Sequence, residues 1–160
     1  MILRMLSRFF PRRQHPKLPL PTALQHLLDA GRWPRTKEEA LHQNLQPLVP
    51  FERIQQLAPE EGSLYLLPPP FQTVAECAAS NPFWLRPECA PAEIDLERAL
   101  DIGDFGLGSD APLILDYRAN PAEPRVLRLR WSERGTDNHW VEAAPSFDAF
   151  ARILGLLPIA

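Results

Sequence analysis

Proline sets the terms for this chain. Nineteen of its 160 residues are Pro, more than twice the usual share of about 5%. Each ring fixes φ and removes a backbone donor, so neither a helix interior nor a central strand runs through it. The spacing is uneven. Fourteen prolines lie in residues 1–91, and the other five are Pro112, Pro121, Pro124, Pro145 and Pro158. The first half must therefore fold as short, interrupted elements, whereas the second is free to form a regular meander. The excess does not signal disorder. Pro and Gly together make about 16% of the chain, below the roughly 25–30% of low-complexity sequences. Leu, Ile, Val and Phe make about 28%, enough to build a core.

Several function classes fall away on composition. No run of about 18 apolar residues exists, so no integral membrane segment is expected. Met1–Phe10 is apolar but broken by Arg4 and Arg8, unlike the unbroken stretch of a secretory signal. With only Cys77 and Cys89, no disulfide framework is expected, and a cytoplasmic setting follows. Two cysteines and four scattered histidines make no zinc pattern, so neither metal nor cofactor is expected. The formal charge is -3, but residues 1–20 hold five basic side chains and no acid. The remainder therefore carries -8. A basic Pro-rich extended tail (1–21) precedes a single acidic domain (22–160), and an acidic body is a poor nucleic-acid surface.

Along that body, Thr22–Ala30 reads as a helix capped by Gly31. Thr36 and Glu39 have capping-box spacing, followed by an apolar stripe of Ala40, Leu41 and Leu45. Residues 51–58 read as a helix with Phe51, Ile54, Leu57 and Ala58 inward. Ser63–Leu67 reads as a strand and Thr73–Ser80 as a helix. Residues 81–93 form an irregular loop whose Phe83, Trp84 and Leu85 either pack beneath it or form a contact patch. Strands follow at 99–105, 112–118, 125–132 and 139–143. Leu113, Leu115 and Tyr117 share one side. In 125–132, Leu127, Leu129 and Trp131 form a buried face and Val126, Arg128 and Arg130 a wet one. A closing helix carries Phe147, Phe150, Ala151 and Leu154. Helices first, then strands, then one helix predict an α+β fold with a largely antiparallel or mixed sheet.

Catalytic patterns are weak. Asp104-Phe105-Gly106 matches the kinase metal-binding tripeptide, but no other kinase motif accompanies it. Gly103, Gly106 and Gly108 precede a strand, so they offer no helix N-terminus to a phosphate. Asp101, Asp104, Asp110 and Asp116 are clustered carboxylates. They suit turn or cross-strand pairing, with Asp116 facing Arg128 or Arg130, or an acidic surface for a basic partner. His139, beside Trp140 and near Asp137, is the one histidine in a strand setting and reads as structural. Cys77 reads as inert core. No enzyme activity is expected.

At residues 102–118, IGDFGLGSDAPLILDYR, the chain resembles the SUKH superfamily, the family of the Smi/Knr cell-wall assembly regulators. The resemblance continues through VLRLRW and HWVEAAPSFDAFARILGL, with SLYLLPPPFQTVAE upstream. Its motifs are Gly103-Asp104 between strands, Asp116 on the next strand, and the Phe147 and Phe150 pair of the last helix, with Gly106 and Gly108 in the intervening turn. The usual early strand entry is replaced by Pro68-Pro69-Pro70. The resemblance implies an α+β domain that acts by binding rather than catalysis. Many bacterial members are immunity proteins that neutralise a cognate toxin, while the eukaryotic members suggest an intracellular regulatory or adaptor module. On the immunity reading, Asp101, Asp104, Asp110 and Asp116 steer a basic toxin, and Trp84 and Tyr117 anchor it.

Overall fold

A computed structural model describes residues 17–106 and 111–158. Helices α1 (Thr22–Asp29), α2 (Lys37–His42) and α3 (Phe51–Leu57) come first, followed by the short strand β1 (Tyr65–Leu66) and helix α4 (Val74–Ser80). Strands β2 (Ala99–Asp104), β3 (Pro112–Asp116), β4 (Arg125–Arg130) and β5 (His139–Ala144) complete a five-stranded sheet, and α5 (Phe147–Ile153) closes the chain. Strand order is β1-β2-β3-β4-β5, and every neighbouring pair is antiparallel. The fold is α+β, as its element order predicts.

Local signals explain most boundaries. Gly31 follows α1 at φ 68°, the left-handed conformation that ends many helices. Ser146 caps α5 by accepting from Ala149 N at 3.1 Å. Thr36 caps α2 through Glu39 N at 3.2 Å. The reciprocal half of that box is displaced by one residue, because Glu39 Oε2 accepts from Arg35 N at 2.8 Å and its other oxygen pairs with the Arg35 guanidinium. The complete capping box lies instead at Thr73 and Glu76, at the start of α4. Strand β1 covers only two residues of the segment 63–67.

The sheet is covered on both faces. On one side α1, α3 and α5 bury Leu24, Leu27, Ile54, Phe147 and Phe150 against Leu66, Ile102, Leu113, Leu115, Tyr117 and Val126. On the other, α4 and residues 82–94 bury Val74, Phe83, Trp84 and Ile94 against Ile114, Leu127, Leu129 and Trp140. Residues 82–98 are a chain of four 3-10 turns, at Pro82–Leu85, Pro87–Cys89, Pro91–Glu93 and Leu96–Arg98. Three of them begin on Pro, whose fixed φ suits the first position of a helical turn. Proline thus turns an apparently irregular loop into a packed layer.

The helical cover on the first side corrects the expected wet face of β4. Val126 is buried among the helices, and Arg128 is 7% exposed, paired with Glu60 and 6.0 Å from the Phe105 ring centroid. Only Arg130 of that face reaches water extensively. The inward stripe of the first half is corrected as well. Ala40, Ile54, Leu57 and Ala58 are buried, but Leu41, Leu45 and Phe51 are exposed. The reason is length. Helix α2 ends at His42, so Leu45 lies beyond it and points off the body rather than along a helical face.

Candidate functional site: an apolar surface at residues 41–51

The residues expected to meet a partner do not form one surface. Tyr117 is fully buried, and its hydroxyl donates to Pro19 O at 2.7 Å, which pins residues 17–21 to the body. Leu18 and Leu20 of that segment pack against the main core. Trp84 is 5% exposed and stacks on Trp140, with ring centroids 6.4 Å apart and planes 9° apart. Both aromatics are therefore core, because each found apolar cover that the sequence could not display.

The aspartates divide by environment. Asp116 is 1% exposed. Its partners are Arg118 and Arg125, each at 2.8 Å, rather than Arg128 or Arg130. Register explains this: Asp116 stands opposite Arg125, and Arg128 opposite Leu113. Burial opposes the charge, but the two guanidiniums outweigh it and hold the carboxyl below its usual range. Arg118 also donates to Glu93 O at 3.0 Å, tying the 3-10 layer to the sheet. Asp104 accepts from Ala111 N at 3.3 Å, across the turn that Gly106 enters at φ 81°. Asp101 is part-exposed, yet its Oδ1 is sealed from solvent and has no hydrogen-bond partner. Desolvation first, then the Asp104 charge, pushes this carboxyl up to about 8. Asp110 and Gly108 lie outside the described residues.

The motif residues have structural work. Gly103 permits close contact of β1 and β2, since a Cβ there would stand 2.8 Å from Tyr65 O. Phe147 and Phe150 are core residues with ring centroids 5.8 Å apart. Cys77 and Cys89 are both buried and unbridged, and burial raises the Cys77 thiol to about 12, far from a reactive thiolate. His139 is exposed and structural. Its Nδ1 faces Glu93 Oε1 at 2.6 Å and its Nε2 faces Asp137 Oδ1 at 2.9 Å. Among the described residues, no group of three His, Cys, Asp or Glu side chains could hold a metal ion.

A different surface emerges at the α2–α3 connection. The exposed large apolar residues among those described are Leu41, Leu45, Leu48, Phe51 and Leu85. Four of them fall between residues 41 and 51, and Leu45 is 85% exposed. Pro47 and Pro50 prevent α2 and α3 from joining into one helix that could turn these side chains inward. A cavity of about 190 Å³ lies beside Phe51, lined also by Pro47, Val49, Ile54, Leu64 and Tyr65 among others. Residues 37–62 hold two basic and five acidic side chains. Glu60 is occupied by Arg128, whereas Glu52 and Glu61 form no ion pair among the described residues. Burial, reinforced by Glu60, raises the Glu61 carboxyl above its ordinary value. The sequence signal for this surface was Leu45 followed, after Gln46, by Pro47-Leu48-Val49-Pro50, an apolar run that no helix can bury.

Among the described residues, no helix is long and apolar enough to cross a membrane. Comparison with protein-family models, curated proteins and solved structures finds no match to this chain.

Proposed function

We propose that this protein is a non-catalytic binding domain, and specifically a cytoplasmic immunity protein that neutralises a cognate basic toxin. The observation that carries the reading is the apolar surface of Leu41, Leu45, Leu48 and Phe51 within an acidic stretch of the chain. Contiguous exposed apolar side chains mark contact sites on soluble proteins. The carboxylates of that stretch supply long-range attraction to a basic cleft and fast association. The family resemblance at residues 102–154 supports the same class of activity. The contact surface in this reading is the 41–51 segment, not the aspartates of the strand meander.

The test is growth of cells producing the toxin domain encoded beside this chain's gene. Wild-type protein restores growth. The doubly substituted Leu45→Asp, Phe51→Asp protein folds, as judged by circular dichroism, but does not protect. Asp116→Asn, matched in expression, still protects. A gene with no toxin beside it, or full protection by the double variant, overturns the proposal.

A further inference from the structure

The edge of the sheet at β1 is closed along only part of its length. Tyr65 pairs with Asp104 and Leu66 with Gly103. Ser63 O accepts from Gly106 N at 2.9 Å, and Leu67 N donates to Ile102 O at 3.0 Å. Ser63, Tyr65 and Leu67 thus turn their backbone groups toward β2. Alternation then turns those of Leu64 and Leu66 away from the sheet.

The two outward residues differ. Leu66 is satisfied by one side chain: its N donates to Gln43 Oε1 at 3.0 Å, and Gln43 Nε2 donates to its O at 2.8 Å. The amide of Gln43, itself buried, does what the peptide of a neighbouring strand would do. A third bond, from Nε2 to Ala40 O at 3.0 Å, holds that amide in place. Leu64 has no such guard. Neither its N–H nor its C=O makes a hydrogen bond to a described residue. Leu64 lines the cavity walled by Pro47, Val49, Phe51 and Ile54. Glu61, three residues before Leu64 and in no ion pair among the described residues, is the nearest carboxylate to that edge along the chain.

We propose that this edge takes an extended basic segment of a partner protein, which pairs with the Leu64 backbone, seats one apolar side chain in the cavity and sets a lysine or arginine beside Glu61. An extended chain is the occupant that fits. A helix has spent its own backbone groups and would leave those of Leu64 unpaired. The added strand is short, because Gln43 ends it before Leu66. Edge strands invite such pairing unless they are covered, and here the cover stops one residue early.

The inference rests on the reading of this protein as a binder of a basic partner, but the two fail separately. The probe is a capped hexapeptide alternating lysine with valine or leucine, titrated onto the full chain. The peptide binds and slows hydrogen exchange at the Leu64 amide about tenfold or more. Exchange at Leu66, already protected, does not change. A second peptide, N-methylated on alternate residues, keeps every side chain but loses the backbone donors of one edge. It binds about tenfold more weakly, as expected for the loss of its one hydrogen bond to Leu64 O, worth about 1.4 kcal/mol. Equal affinity of the two peptides, absence of binding, or no protection of Leu64 overturns strand addition. So does a dimer of the free protein in sedimentation, which would assign the edge to a second copy. Toxin protection that persists while the peptide fails to bind would leave the immunity reading standing without this mode of contact.

Discussion

Asp101 carries a carboxyl that the fold makes no use of as an ion. Its Oδ1 is sealed and unpartnered. Cys77 and Asp104 stand near enough to interact, and neither supplies positive charge. The folded carboxyl titrates near 8, against about 3.9 in the unfolded chain. Between those values the folded state holds a proton that the unfolded state has lost. Stability therefore falls as pH rises from about 4 to about 8 and levels off above that. Asp101→Asn removes this slope. Urea midpoints measured from pH 4 to pH 9 should show the variant gaining on wild type by at most about 1.4 kcal/mol per pH unit. Parallel profiles would contradict it. Asp116 presents the opposite sign. Its carboxyl is held low by Arg118 and Arg125, so its contribution is present above about pH 4 and is lost as pH falls through the depressed folded value. Asp116→Ala strands two guanidiniums and the Arg118 amide. It should cost about 3 kcal/mol at neutral pH, measured by the same denaturation, and less in acid. The sequence placed both aspartates in strands but could not tell a carboxylate paired with cations from one that has none. That difference depends on register, which sets Asp116 opposite Arg125 and Asp101 opposite Ile114.

At the scale of elements, the strand meander and α5 were legible because alternation and helical spacing each report one face directly. The layer of 3-10 turns was not, because it has no period: its burial comes from Phe83, Trp84, Cys89 and Ile94 meeting the sheet one at a time. What fastens this layer is polar and local. Glu93 accepts from His139 through Oε1 and from Trp140 N through Oε2 at 2.8 Å. Trp140 Nε1 donates to Cys89 O at 2.7 Å, and Asn138 Nδ2 to Glu88 O at 2.8 Å. With carboxylates at both ring nitrogens, His139 is satisfied only when doubly protonated. Hydrogen bonding to Glu93 and then Asp137 raises its affinity for the proton. A raised histidine contributes fully below the unfolded value of about 6.5, and its contribution is lost as pH rises through the folded one. The clamp between the 3-10 layer and β5 should therefore loosen as pH rises above the ordinary imidazole range. Hydrogen exchange at the Trp140 amide checks this. Opening should increase with pH beyond the intrinsic chemical dependence in wild type, and His139→Gln should abolish the excess. The ring is exposed, so the effect is local, with little change in global stability.

Over the whole molecule, one sheet serves two cores. Leu113 and Leu115 face the helices, whereas Ile114 between them faces the 3-10 layer. Neither layer can detach without exposing an apolar sheet face to water, so the two cores should melt together. The tryptophans allow this to be read directly. Trp33 is buried in the helical core, with its Nε1 donating to Leu67 O at 2.8 Å. Trp84 and Trp140 lie in the other core. Chemical denaturation followed by tryptophan fluorescence and by far-ultraviolet circular dichroism should give one coincident transition. Phe150→Ala on the helical side and Trp84→Ala on the other each remove a large buried ring, and each should cost about 3–5 kcal/mol. Against a total of about 5–15 kcal/mol for a typical domain, either substitution should lower the same midpoint by a large fraction without splitting the transition. A Trp84→Ala protein whose Trp33 signal keeps the wild-type midpoint while its Trp140 signal moves to lower denaturant would show instead that the 3-10 layer is a separate unit. The proline-rich segment would then be a removable cover over a self-sufficient helix-and-sheet core.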